Sequence, residues 1–278
     1  MLTPSAQLPL YGRRILVTAP RNYAARFSEQ IIQKGGLPIL MPTIETCYLS
    51  NYAELDIALS QIDTFDWIVF TSRNGISGFF QRMNDLDIPT SMLQNCRLCA
   101  LGKDSESLLS FCGRVDLVPP ESSPVGIVAE LAKIPKINQQ KLLIPAPEVV
   151  GIVEPNVIPN LISELQKLGP QAIRVPAYLT KILDKSIYEV ELNLIRQGMI
   201  DVIAFSSTAE VESFLKMVNF PSDYEHSIIA CFGPYTTANA QKLGVNVSVV
   251  SKDFSSFEGF VEAIGEFLLL MSKEKACS

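Results

Sequence analysis

The chain holds a single histidine, His226, among 278 residues, and that scarcity closes off much nucleophilic and acid–base chemistry. A serine or cysteine hydrolase needs an imidazole beside its nucleophile. His226 instead lies in the loop-like stretch Ser222-Asp223-Tyr224-Glu225-His226, ahead of a strand and so away from the sheet end where ligands bind. Gly75-Ile76-Ser77-Gly78 lacks the spacing of a nucleophile elbow. Of six cysteines, Cys96 and Cys99 form one C-x-x-C, but no second pair or histidine cluster completes a zinc site. Cys99 and Cys231 fall inside apolar strand runs, where cysteine acts as a small hydrophobe. Neither a P-loop nor a G-x-G-x-x-G occurs, so no motif supports nucleotide binding. No apolar run approaches the ~18 residues of a membrane span, and the polar, proline-containing first fourteen residues predict no secretory signal. A net charge of −6 counts against non-specific nucleic-acid binding. The expectation is a cytoplasmic protein with no metal or cofactor. If it is an enzyme, it works by positioning and hydrogen bonding on a substrate that is already reactive.

What is present is a repeat. Asp66-Trp67-Ile68-Val69-Phe70-Thr71-Ser72 returns as Asp201-Val202-Ile203-Ala204-Phe205-Ser206-Ser207. Leu98-Cys99-Ala100-Leu101-Gly102 returns as Ile229-Ala230-Cys231-Phe232-Gly233, at a nearly constant offset. A second duplication interleaves with the first: residues 14–20 resemble 141–147, each followed by a helix ending at glycine and a strand ending in proline. Two assemblies fit this order. The units are either tandem, or exchanged so that the first segment joins the last.

Strands are predicted at 14–19, 38–41, 67–71, 97–101, 115–118, 141–145, 172–176, 202–206, 228–232 and 246–250, mostly separated by helices. That is the βαβ pattern of doubly wound parallel sheets. Ser255 with Glu258 has capping-box spacing ahead of a helix whose Phe257, Phe260, Val261, Ile264 and Leu268 share a face. Thr208 is predicted to cap 209–217, with Val211, Phe214 and Leu215 inward and Glu210 and Glu212 in water. Asp66 and Asp201 start their strands; a receiver-like phosphoacceptor would end one.

Ligands of open parallel sheets bind beyond the carboxyl ends of the strands. Those ends carry Thr18 to Arg21, Thr71-Ser72-Arg73-Asn74, Gly102 to Ser105, Pro145 to Glu148, Tyr178, Ser206-Ser207-Thr208 and Gly233 to Thr237. Hydroxyls and helix N-termini of this kind can hold an anion through unpaired backbone N–H groups. The blander reading of Arg21, Arg73 and Lys103 is solvated surface charge.

With these residues laid out, the chain resembles the uroporphyrinogen-III synthase family over residues 12–270. The resemblance rests on the order of Leu16-Val17-Thr18-Ala19-Pro20, 66–72, Gly102 with Ser105, Val175-Pro176-Ala177-Tyr178, 201–207 and Gly233-Pro234-Tyr235-Thr236. It implies two flavodoxin-like domains in the exchanged arrangement, 1–44 with 179–278 and 45–178 between them, joined by a two-stranded connector near 43–50 and 173–180. It also implies a cofactor-independent lyase that closes the polycarboxylate hydroxymethylbilane with loss of water and inversion of ring D, with room for transient delivery by the upstream deaminase. Tyr178 matches the tyrosine that aids loss of hydroxide. Thr236, Ser72 and Ser207 match substrate-contacting hydroxyls. Thr18, Arg21, Thr71, Arg73 and Ser206 complete the expected substrate loops. Ser105 stands where the family usually has threonine, beside Asp104, a poor neighbour for a carboxylate. The competing reading is a non-enzymatic two-domain protein that binds a small anion.

Overall fold

The computed structural model describes residues 4–254 and 256–277. Its strands are β1 (Arg14–Val17), β2 (Leu37–Leu40), β3 (Ile44–Cys47), β4 (Trp67–Phe70), β5 (Arg97–Ala100), β6 (Lys141–Val150), β7 (Gln171–Ile182), β8 (Val202–Phe205), β9 (Ile228–Cys231) and β10 (Val249–Val250). Its helices are α1 (Arg21–Gln33), α2 (Ala53–Ser60), α3 (Arg73–Asp85), α4 (Asp104–Cys112), α5 (Pro124–Leu131), α6 (Val157–Leu168), α7 (Glu189–Arg196), α8 (Thr208–Met217), α9 (Pro234–Lys242) and α10 (Phe257–Cys277).

The chain divides into two compact units. The first comprises Met1–Glu45, Gly151–Val153 and Lys181–Ser278; the second comprises Thr46–Val150 and Glu154–Thr180. One sheet has the order β10-β9-β8-β1-β2, and the other β3-β7-β6-β4-β5. In the first sheet β1 runs parallel to both β2 and β8, and β9 to both β8 and β10. In the second, β4 runs parallel to β5 and β6. The repeated segments are therefore exchanged, and each sheet pairs an early copy of one with a late copy of the other. The duplicated aspartates mark this. The Asp201 carboxylate accepts the Arg14 N–H at 2.8 Å, and Asp66 accepts the Lys141 N–H at 2.8 Å. Each clamps the start of its strand to the neighbouring one.

Period-two alternation sorts the buried strand residues onto two faces of each sheet. In the first unit Ile15, Val17, Val202 and Ala204 pack with Phe27 and Phe260. Leu16, Ile203 and Phe205 pack on the other face with Val211 and Phe214. In the second unit Ile68, Phe70 and Leu143 join Phe79, while Trp67, Val69 and Ile144 join Leu161. With both faces covered, β4 and β8 are buried at every position, which is why they read as unbroken apolar runs.

Two strand expectations are corrected. Residues 115–118 form no strand; Leu117 makes one isolated bridge to Cys99, and the Asp116 carboxylate takes the Leu98 N–H. The second sheet draws its fifth strand from β3 instead. β6 and β7 also run well past 145 and 176, where proline marked a stop in the sequence. Proline removes a donor but leaves the extended backbone intact, so it is tolerated where no ladder bond is needed. The start of α10 departs from expectation as well. Ser255 lies outside the described residues, and the Ser256 hydroxyl accepts the Gly259 N–H at 3.2 Å.

Candidate functional site

Counted by position along the chain, the first sheet has the flavodoxin-like strand order, whose ligand crevice opens where the winding reverses. That reversal falls between β1 and β8. At its carboxyl end Thr18 is fully buried. Its hydroxyl lies 2.8 Å from the Ala204 carbonyl and 2.8 Å from Glu210 Oε2. The Ser206 N–H donates to the same oxygen at 2.8 Å. The Ser206 and Ser207 hydroxyls sit 2.5 and 3.0 Å from Glu210 Oε1. Thr18, Ser206 and Ser207 thus meet around one carboxyl group.

Glu210 is the residue that sequence reasoning missed. It was expected in water and is 1% exposed. The helix starts one residue earlier than expected, because Ser207 rather than Thr208 is its cap and accepts the Glu210 N–H. That turns Glu210 inward. The signal was present, since Ser207-Thr208-Ala209-Glu210 has the S-x-x-E spacing of a capping box. Burial pushes the Glu210 carboxyl above its usual range, against the bonds from Ser206, Thr18 and Ser207. Arg21 opens α1 on the surface. Burial raises the Tyr188 phenol, and the Arg21 charge opposes that rise. Thr236 is buried in the first turn of α9, while its neighbour Thr237 donates to the Gly233 carbonyl at 2.9 Å.

The corresponding reversal in the second sheet lies between β6 and β4. Thr71 is half-buried just beyond β4. Ser72 caps α3, its hydroxyl accepting the Gly75 N–H at 3.2 Å and lying 3.1 Å from the Tyr178 hydroxyl. Two glycines make that meeting possible. A Cβ on Gly75 would come within 3.0 Å of the Pro145 carbonyl, and one on Gly78 within 2.2 Å of the Ala177 carbonyl. α3 therefore lies directly against β6 and β7, and Ala177 holds the next residue, Tyr178, beside Ser72. Tyr178 is half-buried as a whole and packs on the core, with its hydroxyl desolvated. Burial pushes the phenol up to about 12; the Ser72 bond opposes this, the Asp104 charge adds to it, and the Arg174 charge counters.

The neighbouring groups are internally answered. Arg73 pairs with Asp104 at 3.4 Å, and the Ser105 hydroxyl donates to the Gly102 carbonyl at 2.6 Å. A cavity of about 380 Å³ in this unit is lined by Glu54, Glu148, Glu154 and Arg174 with Pro147, Val149 and Pro176. Three carboxylates against one guanidinium make it unsuited to a polyanion. Cys96 and Cys99 face opposite sides of the sheet, and burial pushes both thiols up to about 12. Among the described residues no three His, Cys, Asp or Glu side chains gather as a metal site, and no helix is long and apolar enough to cross a membrane.

A family model for uroporphyrinogen-III synthase HemD matches residues 25–260. The uroporphyrinogen-III synthase of Synechococcus elongatus is 28% identical over 274 residues, covering 94% of this chain and 98% of its own. That of Chlorobaculum parvum is 25% identical, covering 92% and 99%. Among solved structures, a mutant uroporphyrinogen III synthase of Thermus thermophilus matches with a TM-score of 0.63 at 16% identity, over 92% of this chain and 100% of that one. The Helicobacter pylori uroporphyrinogen-III synthetase gives 0.55 at 18% identity, over 94% and 98%. At such identities the structures speak to the fold.

Proposed function

The chain belongs to the uroporphyrinogen-III synthase family, enzymes of tetrapyrrole biosynthesis, and on that premise we propose that it cyclises hydroxymethylbilane to uroporphyrinogen III as a cofactor-independent lyase of the cytoplasm. The substrate's terminal hydroxymethyl C–O bond breaks and its oxygen leaves as water. The azafulvene left behind is attacked by the substituted carbon of the last ring. The resulting spiro intermediate opens and recloses with ring D inverted, and loss of a ring proton restores the pyrrole. The protein's part is to hold the bilane in the pose for this closure rather than the head-to-tail one, which is an entropic and positional contribution.

The observation that carries this reading is the Ser72–Tyr178 contact of 3.1 Å. Ser72 accepts the Gly75 N–H and either hydroxyl can donate in its bond with Tyr178; in the reading proposed, Ser72 donates to the phenol oxygen. That leaves the Tyr178 proton to donate to the departing hydroxyl. A phenol held near 12 stays protonated at neutral pH, so Tyr178 serves as a hydrogen-bond donor and not as a base. The substrate's carboxylates are assigned to the loops that follow β1, β4, β5, β8 and β9, chiefly through backbone N–H groups, with Thr71, Thr236 and Arg21 as side-chain contacts. Thr18, Ser72, Ser105, Ser206, Ser207 and Arg73 are bonded within the protein and shape those loops.

The test is incubation with freshly made hydroxymethylbilane, oxidation of the products and chromatographic separation of the isomers. Isomer III far above a protein-free control is the expected result, unchanged by chelators. Isomer I alone at the control rate would leave a non-catalytic binder. Activity lost to a chelator and restored by metal would remove cofactor independence.

A further inference from the structure

We propose that Glu210 is held as a neutral carboxylic acid beneath the loop after β8, and that this neutrality is what lets the loop accept a carboxylate of the substrate. Glu210 is a positioning residue: it touches no reacting atom and acts through Ser206 and Ser207. The proposal deepens the cyclase reading and rests on it.

The protons around Glu210 can be counted. Thr18 Oγ1 has one proton and two oxygen neighbours at the same 2.8 Å, the Ala204 carbonyl and Glu210 Oε2. Two oxygens at that distance need a proton between them. A carbonyl has none to give, so either Thr18 shares its one proton between Ala204 and Glu210, or it donates to Ala204 and Glu210 supplies the second proton from Oε2, which also accepts the Ser206 N–H; we assign the second. The other oxygen, Oε1, then accepts from Ser206 and Ser207. Every polar atom in the cluster is satisfied by this arrangement. None of the ion pairs among the described residues involves Glu210, so an ionised carboxylate would be buried with no counter-charge. The upward displacement of its carboxyl by burial agrees.

The consequence is electrostatic. Glu210 lies in the first turn of α8, where backbone N–H groups and the helix dipole favour an anion. A charge on Glu210 would occupy that field and repel a second carboxylate in front of it. A neutral acid leaves the field to the ligand. The groups facing Glu210 do not blur its titration. β1, β8 and the segment after β2 present Thr18, Ser206, the Ala204 carbonyl and Thr43, whose hydroxyl donates to the Glu210 carbonyl at 3.3 Å. α9 presents Asn239, which bonds Thr208. β9 presents Cys231, whose thiol is pushed up to about 12 and stays neutral. α8 itself carries Glu212 and Lys216 further along, with the Glu212 carboxyl raised by burial and lowered by the Lys216 charge.

The test compares the unmodified protein with Glu210→Gln, which is neutral and cannot ionise, although its amide cannot reproduce both the Thr18 and the Ser206 N–H bonds at once. The first readout is the infrared carboxylic-acid carbonyl band of the substrate-free protein from about pH 5 to about pH 9, assigned by its loss in Glu210→Gln. The band is expected at neutral pH; its absence there overturns the proposal, whatever the enzyme does. The second readout is KM for hydroxymethylbilane across the same range, corrected for the uncatalysed reaction. KM of the unmodified protein should stay level while the band persists and rise about tenfold where it is lost, with kcat little changed. KM of Glu210→Gln, whatever its level, should show no such pH-dependent rise. An equal rise in the variant overturns the proposal. If Glu210→Gln fails to fold, the unmodified protein still decides, because its KM must track a band assigned by isotope-labelled glutamate. No formation of isomer III at any pH removes the cyclase reading, and the loop's role with it, while the band reports on the proton separately.

Discussion

At Tyr178 a phenol and a serine hydroxyl share one hydrogen bond, and the direction of that bond decides what the tyrosine can do. Ser72 receives the Gly75 N–H, which holds its oxygen in place, and the proposed mechanism needs Ser72 as the donor to the phenol oxygen. Tyr178→Phe is expected to lower kcat by about ten- to a hundredfold with little change in KM, because the donated bond matters chiefly as the hydroxyl departs. Ser72→Ala should lower kcat less, since the phenol keeps its proton but loses its orientation. Steady-state kinetics on the two variants and their double mutant checks this; full activity in Tyr178→Phe would take the tyrosine out of the mechanism. The pH profile is constrained too. A phenol raised to about 12 remains a donor through mildly alkaline pH, so an alkaline limb with an apparent pKa well below that must belong to another group. Glu210 has the opposite interest. Its folded-state pKa is raised, so its contribution to stability is complete below 4.5 and is lost as pH rises through the folded value. Urea midpoints of the unmodified protein should fall relative to Glu210→Gln as pH rises from 4.5 toward that value, and level off above it.

Among the elements, α3 carries the most consequential packing. Gly78 brings it against the Ala177 carbonyl, at a separation that any side chain would close. Gly78→Ala should destabilise the protein by about 3 kcal/mol and disturb Tyr178, because the obstacle is backbone and cannot rotate away. A denaturant series showing less than about 1 kcal/mol would mean that the helix shifts freely. α8 offers the contrast. Ser207→Ala removes an N-cap and should cost about 1 kcal/mol, and it also takes away one hydroxyl that orients Glu210. α8 was legible in sequence as an amphipathic run, and α3 only as a helical stretch after an apolar strand. The register of α8 was legible only through the S-x-x-E spacing of Ser207 and Glu210, since Thr208 is also a competent cap, and packing against β1 and β8 goes with the Ser207 choice. The choice rotates Glu210 from solvent into the sheet end.

At the scale of the whole molecule, two sheets each have two covered faces and their own apolar clusters. A fragment spanning residues 44–183 contains all five strands of the second sheet and should fold alone, with a cooperative thermal transition and native-like circular dichroism. A non-cooperative fragment would mean that its core depends on the rest of the chain. The first unit needs both the beginning and the end of the chain, since β1 and β2 sit beside β8. Either terminal piece alone should stay unfolded.

The sequence by itself determined that this is an α/β protein of duplicated parallel-sheet units, because buried strands need unbroken apolar runs and their helices need one apolar face. It also narrowed the candidate loops to the carboxyl ends of those strands. The repeats could not say whether the units were tandem or exchanged, since pairing between distant strands leaves no mark in local periodicity. The sheets decide it, with Asp201 clamping β1 and Asp66 clamping β6. Nor could the sequence tell a hydroxyl aimed at a ligand from one turned inward. Ser206, Ser207 and Ser105 face the protein's own oxygens, and Arg73 faces Asp104. Hydrogen-bond partners are set by which chain segments are brought within about 3 Å of each other. For Thr18 and Glu210, and for Ser72 and Tyr178, only the tertiary structure does that.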